Sequence, residues 1–288
     1  MSDYLTTKEV AALLRLKERK VYDLAAKNEI PHLKATGKLL FPRADIESWM
    51  HGKGFNGSAH GQRPLVALGS HDPLLEWSLA ISGSGLATLF QGSLEGLDQF
   101  KAGAGVMCGL HIEHVDSNGW NLEIVQTEFK QSAAVLMHWA IRDRGLIVRK
   151  GSSIQSIAQI GKARVVIRQK TAGAFYSFER RLHACGLEIS NLDIVREAQT
   201  ETEAALAVLE NQADVCFGLR TYADRYDLEF IPICKESFDL LIDRHAFFDP
   251  PLQALFRFVE TQEFYKEVSR YAGYDLSGLG DIRFNGAS

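Results

Sequence analysis

Ser70, His71 and Asp72 put a hydroxyl, an imidazole and a carboxylate in consecutive positions. These are the groups of a nucleophilic relay, yet the members of such a relay usually come from separate segments, and neighbours at one tight turn rarely reach the mutual geometry. The other chemistry open to them is capping. The apolar run 65–68 reads as a buried strand, Gly69 breaks it, and Pro73 suits the first position of a helix carrying Leu74, Leu75 and Leu79. Ser70 and Asp72 then stand at a helix N-terminus, where unpaired N–H groups and the helix dipole favour small anions and polar ligands. The same order recurs twice. Residues 87–90 run into Gln91-Gly92-Ser93 and an apolar helix 94–100, and 164–167 run into Arg168-Gln169-Lys170-Thr171-Ala172-Gly173 and a helix 175–185. One such junction is an ordinary capped helix. Three in one α/β system point to a cleft that holds a ligand.

His111 and His114, with Glu113 and Asp116 close by, invite a metal reading. The spacing is not the i, i+4 pair of a helical zinc site, and a strand sends residues three apart to opposite faces. His111 is therefore read as lining the cleft. Glu203, near the start of a helix, is read as a cap residue favoured by the dipole.

The chain that must position these groups has 288 residues, enough for two or three domains, with 46% hydrophobic and 24% charged residues. Its net charge of −4 announces no nucleic acid, but the first fifty residues carry +2 and leave −6 for the rest. The four cysteines (Cys108, Cys185, Cys216, Cys234) are widely spaced in apolar company, which predicts buried free thiols in a reducing compartment. Met1-Ser2-Asp3-Tyr4 begins no secretory signal, and no apolar run approaches the roughly 20 residues of a membrane span. The expected location is the cytoplasm, with no membrane partner.

Residues 4–50 read as a compact unit. Thr6 or Thr7 caps a helix carrying Val10, Ala11, Leu13 and Leu14, with Glu9 placed for a capping box. After a turn at Arg15-Leu16, a second helix runs over about 17–27 with Val21 and Leu24 inward and Lys17, Arg19, Lys20 and Tyr22 outward. Strands 30–34 and 38–41 form a hairpin through Ala35-Thr36-Gly37, and a helix 44–50 closes the core with Ile46 and Trp49. Tyr4-Leu5-Thr6-Thr7-Lys8-Glu9-Val10-Ala11, Val21-Tyr22 and Phe41-Pro42-Arg43-Ala44-Asp45-Ile46-Glu47-Ser48-Trp49 resemble the excisionase/MerR-type winged helix. The resemblance implies binding to double-stranded DNA, with the helix from Lys17 in the major groove and the Lys34–Lys38 wing on phosphate or minor groove. A small protein–protein module is the alternative.

Residues 51–63 are rich in Gly and polar residues and read as a flexible linker. From Pro64 onward strands and helices alternate. The expected elements are strand 65–68, helix 73–81, strand 86–90, helix 94–101, strand 105–110, a loop with Asn118 and Gly119, strand 122–127, helix 131–139 and strand 146–149. Strand 164–167, helix 173–185, strand 192–196, helix 201–211, strands 214–218, 229–233 and 238–242, and helices 251–259 and 261–271 follow. Alternation of this kind makes mostly parallel sheets covered by helices.

Their order resembles the type II periplasmic-binding-protein fold, and more narrowly the cytoplasmic molybdate-binding-protein-like domain found fused to DNA-binding heads. The residues that carry this are Gly69-Ser70-His71-Asp72, Gly92-Ser93-Leu94-Glu95-Gly96-Leu97, Gly109-Leu110-His111, Arg144-Gly145-Leu146-Ile147-Val148 and Arg168-Gln169. Ala213-Asp214-Val215, Phe230-Ile231-Pro232-Ile233 with Glu236 and Asp239, and Gly273-Tyr274-Asp275 continue it. The implied fold class is α/β, an N-terminal winged helix-turn-helix (1–50) followed by a two-lobed ligand-binding domain (64–288). Lobe I spans about 64–146 and 236–288, lobe II about 147–235. One departure matters. Where the family shows Gly-Ser-Gly-Thr-Arg after Arg-Gln, this chain has Thr171-Ala172-Gly173-Ala174-Phe175. A Ser, a Thr and an Arg are lost, and Arg168 or Arg220 is left to restore positive charge.

The resemblance implies a bacterial one-component transcription regulator, not an enzyme and without a cofactor of its own. Its effector is a molybdate- or tungstate-like oxyanion or, given the altered loop, a larger molybdenum-cofactor-like or other anion-bearing molecule. The expected ligand residues are Ser70, His71, Asp72, Ser93, His111, Arg168, Gln169, Thr171, Ala172 and Arg220. A homodimer on a palindromic operator is expected. The alternative is an enzyme on a binding-protein fold acting in cofactor biosynthesis, with the first unit as a partner module.

Overall fold

In the computed structural model the chain divides into two units, Met1–Gln62 and Arg63–Ser288. The residues described are 4–14, 16–27, 30–35, 38–50, 63–114 and 119–287.

The first unit contains β1 (Tyr4–Thr6), α1 (Thr7–Leu14), α2 (Glu18–Ala26), β2 (Leu33–Ala35), β3 (Lys38–Pro42) and α3 (Arg43–Met50), its strands ordered β1-β3-β2. Thr6 starts α1 through a capping box. Its Oγ1 accepts from the Glu9 N–H at 3.3 Å, and Glu9 Oε2 accepts from the Thr6 N–H at 2.7 Å, which holds the Glu9 carboxyl below its usual range. Val10, Val21, Ile30, Phe41 and Ile46 are fully buried and make one small core. The hairpin register places Ala35 opposite Lys38; Thr36 and Gly37 lie outside the described residues. So do residues 51–62 of the expected linker. Arg63 is fastened to the second unit instead, donating to the Phe100 and Gly105 carbonyls at 2.6 and 3.1 Å.

The second unit runs β4 (Val66–Gly69), α4 (Pro73–Ile81), β5 (Ala87–Leu89), α5 (Ser93–Lys101), β6 (Met107–Leu110), α6 (Leu122–Phe129) and β7 (Ala134–Val148). It continues with β8 (Arg164–Arg168), α7 (Gly173–Ala184), β9 (Asp193–Ala198), α8 (Glu201–Leu209), β10 (Val215–Leu219), α9 (Arg220–Arg225) and β11 (Glu229–Asp243). It ends with α10 (Pro250–Phe258), α11 (Gln262–Val268), β12 (Tyr274–Asp275) and β13 (Ile282–Asn285). The sheet is ordered β5-β4-β6-β11-β7-β10-β8-β9, with β12 and β13 also on β7. Strands β5, β4 and β6 are parallel at one end, and β10, β8 and β9 at the other. Between them β7 and β11, each of fifteen residues, pair antiparallel along almost their whole length. Every part of the second unit is therefore tied to these two strands. Apolar cores lie on both faces at both ends, around Trp139, Phe238 and Leu240, around Leu68, Leu110 and Val125, around Val165, Phe178 and Phe217, and around Val166, Ala204 and Tyr222.

The junctions fold as their sequences demand. Gly69 has φ +94°, and a Cβ there would lie 2.3 Å from the Gly109 carbonyl, so only glycine lets β4 turn against β6. Asp72 then caps α4, accepting from the Leu75 N–H at 2.7 Å, with Pro73 at the first helical position.

Three expectations fail here. Residues 122–127 belong to helix α6, whose Leu122, Val125 and Phe129 repeat at helical spacing and face the core. The expected helix 131–139 and strand 146–149 are one strand, β7. An apolar run buried on both faces reads alike as helix or strand, and the burial of 134–148 is nearly continuous. Strands 229–233 and 238–242 are also one, β11, with pairing irregularities at Pro232/Cys234 and Phe238/Asp239. Helix α9 and strands β12 and β13 were not foreseen. No helix among the described residues is long and apolar enough to cross a membrane.

Candidate functional site

A bulge aims the site. From Phe238 opposite Ala140 the register steps to Asp239 opposite His138, leaving Trp139 unpaired. Alternation resumes beyond it with Ala140 on the face that holds Met137 and Trp139, so Arg142 and Arg144 come to that face too. Glu236 shares the face with Phe238 and Leu240. Two guanidinium groups and a carboxylate thus meet at the middle of the sheet, all buried.

Each end of the sheet sends partners to them. Arg142 donates to Asp72 Oδ2 at 2.7 Å and to Glu236 Oε1 at 2.5 Å, and its guanidinium lies over the Phe238 ring at 4.3 Å. Asp72 also accepts from the Trp139 indole at 3.1 Å and the Tyr274 hydroxyl at 2.6 Å. Arg144 grips Glu236 with two nitrogens, Nε at 2.7 Å and Nη2 at 2.9 Å, and reaches Glu201 Oε1 at 3.0 Å. Arg168 meets the same Glu201 oxygen at 3.0 Å. His111 Nδ1 lies 3.2 Å from Glu236 Oε2, its ring stacked on Phe238. The Ser93 hydroxyl accepts from the His111 N–H at 3.1 Å and lies 2.7 Å from the Ser70 hydroxyl.

The two ends also touch across the gap. Gln169 Nε2 and the Thr171 hydroxyl both donate to the Gln91 carbonyl, at 3.0 and 3.1 Å. Gly92, at φ +115°, leaves no room for a Cβ, which would lie 2.4 Å from the Thr171 carbonyl; at Gly173 a Cβ would lie 2.6 Å from the His111 carbonyl. Glu113, past β6, is held by Arg181 of α7 at 2.6 and 3.1 Å.

The network balances itself, Arg142, Arg144 and Arg168 against Asp72, Glu201 and Glu236. Burial pushes the Glu236 carboxyl up, but Arg142 and Arg144 outweigh it and hold the group well below the usual carboxylate range. Glu201 behaves likewise, burial opposed by Arg144 and Arg168. Burial lowers the His111 pKa against the opposing pull of Glu236, which favours a neutral imidazole. All three shifts act in one direction with pH. The unfolded chain binds protons that the folded network refuses, so stability is full above about pH 6.5 and falls below it, first through His111 and then, below about pH 4.5, through the carboxylates. Thermal unfolding from pH 8 to 4 should show both limbs. His111→Gln should remove the upper limb and leave the lower.

Of the ten expected ligand residues, Ser70, Asp72, Ser93, His111, Arg168, Gln169, Thr171 and Ala172 are gathered here. His71 turns away to Glu76 at 3.0 Å, so Ser70, His71 and Asp72 each serve a different partner. Arg220 stands half exposed, 3.7 Å from Asp143, outside the network. Glu113 is bound to Arg181 and Ser177, and His114 to Glu123. Among the described residues no group of three His, Cys, Asp or Glu is placed to hold a metal; Asp116 lies outside them. Glu203 completes a capping box with Thr200. A second buried cluster on the opposite face joins His138, Ser237 and Asp239, but hydroxyl and carboxylate both address Nδ1, at 3.5 and 2.8 Å, while Nε2 has no hydrogen-bond partner. A proton relay needs them on opposite nitrogens.

Arg142, Arg144, Glu201 and Glu236 went unrecognised as site residues. The readable signal was Arg142-Asp143-Arg144 inside an otherwise apolar run: charges buried in a strand need partners, and the two arginines are two apart on one face. In the first unit Lys17, Arg19, Lys20 and Tyr22 are all exposed on or beside α2, together with Glu18 and Asp23. The side chains of Lys34 and Lys38 lie outside the described residues.

A helix-turn-helix unit followed by an α/β domain of parallel ends joined through shared strands is the build of a DNA-binding head fused to a type II binding-protein fold. Residues 77–260 match the family described as PBP superfamily domain, and the chain belongs to it. Residues 4–54 match the family described as Helix-turn-helix domain. The uncharacterized protein YvgK of Bacillus subtilis (strain 168) is 22% identical over 301 residues, 96% of either chain. An uncharacterized protein in the ferredoxin 2Fe-2S gene 5'region of Clostridium pasteurianum is 26% identical over 106 residues, 36% of this chain and 94% of its own. Among solved structures, a putative phosphate ABC transporter substrate-binding protein with bound phosphate, from Clostridium perfringens, superposes with a TM-score of 0.52 at 11% identity, covering 72% of this chain and 97% of that one. At that identity it speaks for the fold.

Proposed function

We propose that the chain is a ligand-responsive transcription regulator, in which an effector bound in the second unit changes the affinity of the first unit for operator DNA. The observation that carries this is the union of a helix-turn-helix domain and a binding-protein domain in one polypeptide. The effector site is the region where the two ends of the sheet meet, with lobe I about 64–146 and 236–288, lobe II about 147–235, and β7 and β11 as the connection. The effector is a small molecule with an acidic group, drawn by Arg142, Arg144 and Arg168; the phosphate held by the Clostridium perfringens protein supports that class. Simple oxyanions such as molybdate bind weakly in this reading. Thr171 spends its hydroxyl proton on Gln91, one of the Ser70 and Ser93 hydroxyls spends its proton on the other, and Ala172 and Ala174 offer none. The cleft binds without turnover, and the protein works in the cytoplasm as a homodimer on a palindromic site.

A ligand shifts an equilibrium only by its differential affinity for two states, and typical coupling amounts to about 5–150-fold. Purified full-length protein should bind its own promoter region in a salt-dependent manner, and a compound that raises its melting temperature should change DNA affinity within that range. The reading fails if no DNA is bound at low salt, or if every stabilising compound leaves DNA affinity unchanged.

A further inference from the structure

Glu236 is coordinated as a bound anion would be. Its two oxygens receive Arg142 Nη2, a two-point grip from Arg144, and His111 Nδ1, all within 3.2 Å, and it is wholly buried. Side-on pairing of a guanidinium with a planar carboxylate is the geometry by which proteins recognise carboxylate ligands. Here the carboxylate belongs to the chain. With Asp72 and Glu201 it balances the three arginines, so an added anion would bring uncompensated charge into a buried site, at a cost that excludes it. The gap is also closed, with Gly92 against Thr171 and Gly173 against His111.

We infer that Glu236 is a resident counter-ligand: it fills from within the chain an anion subsite formed by Arg142, Arg144 and His111, and an external acid group enters by exchange with it. The class of effector group is a planar carboxylate, because the donors of Arg142, Arg144 and His111 converge on the two oxygens of one, with the Phe238 ring backing Arg142 and His111. Binding the acid and expelling the Glu236 side chain are then one event, which couples the ligand to the strand pair that joins the two ends of the sheet. This rests on the effector site proposed above.

The test removes the resident group. Full-length Glu236→Ala and Glu236→Gln are titrated with formate, acetate, phosphate and molybdate, with melting temperature and calorimetry as readouts. Formate or acetate at 100 mM should raise the melting temperature of Glu236→Ala by about 3–5 °C in a saturable manner, as a site half-filled at about 10 mM would. Glu236→Gln should respond in the same direction, phosphate and molybdate less. The unmodified protein, and Glu113→Ala (which takes from Arg181 its carboxylate partner outside the network and leaves it Ser177), should not respond. If the alanine variant folds only when refolded in formate, the inference is supported. If neither variant gains anion binding, or neither folds with or without formate, it is overturned. DNA affinity of the same variants separates the two readings: anion binding by Glu236→Ala with DNA affinity indifferent to every ligand would defeat the regulator and leave the counter-ligand standing.

Discussion

Arg144→Ala should lower the stability of the protein by about 3–5 kcal/mol, the range for breaking a buried ion pair from one side. Arg144 is the only residue that touches both Glu236 and Glu201 among the described residues, and all three are buried. Without it Glu201 keeps Arg168 alone, and Glu236 keeps Arg142 and His111. Two carboxylates then lie buried against one fewer positive charge, and the cavity left by the guanidinium adds to the loss. The cost belongs to the orphaned charges more than to the pair. Arg144→Ala combined with Glu201→Ala should therefore be less destabilised than the two losses added, by about 0.5–3 kcal/mol. The Arg164–Asp214 pair gives the contrast. It is more than a third exposed on the arginine side, and Arg164→Ala should cost about 1 kcal/mol or less, even though Arg164 holds the Asp214 carboxyl down to about 2. Denaturant midpoints measure all four variants. An Arg144→Ala protein within 1 kcal/mol of its parent would show that the network is not the keystone of the sheet.

Local chemistry was legible; long-range chemistry was not. Thr6 with Glu9, Asp72 before Pro73 and Thr200 with Glu203 are caps whose partners lie three residues away, and each is where its spacing puts it. The network joins residues far apart in sequence, Arg142 with Asp72 and Glu236, Arg144 with Glu201 and Glu236, and nothing within a window of fifteen residues reports those meetings. The misreading of β7 hid them further. A helix over 131–139 places no strand beneath Arg142 and Arg144, whereas one continuous strand, bulged at Trp139, delivers both to the face of Glu236. Arg220 was expected to restore the positive charge that the altered loop lacks, but it begins α9 and lies 3.7 Å from Asp143. The strand that crosses the sheet instead brings Arg142 and Arg144 to the middle of the network, each paired with carboxylates of the chain.

Replacing Lys17, Arg19 and Lys20 together by alanine should weaken DNA binding by about 100-fold at 0.15 M salt. The three side chains are exposed at the start of α2, the second helix of the helix-turn-helix domain, and the burial of Val21 and Ala25 fixes which side of that helix faces solvent. Each phosphate contact releases counterions and contributes a slope of about −0.9 in log affinity against log salt, so losing three should flatten the slope by about 2.7 units. Glu18 and Asp23 on the same helix repel phosphate, which makes these three cations the net source of attraction there. Tyr22, half exposed on the same helix, can contact base or sugar, so Tyr22→Phe should alter preference among sequences while leaving the salt slope in place. The stability of the second unit should not change, since the substitutions lie in a separate unit. Fluorescence anisotropy over a salt series, on operator and on scrambled DNA, separates these effects. An unchanged slope in the triple variant would mean that α2 does not lie against the DNA backbone.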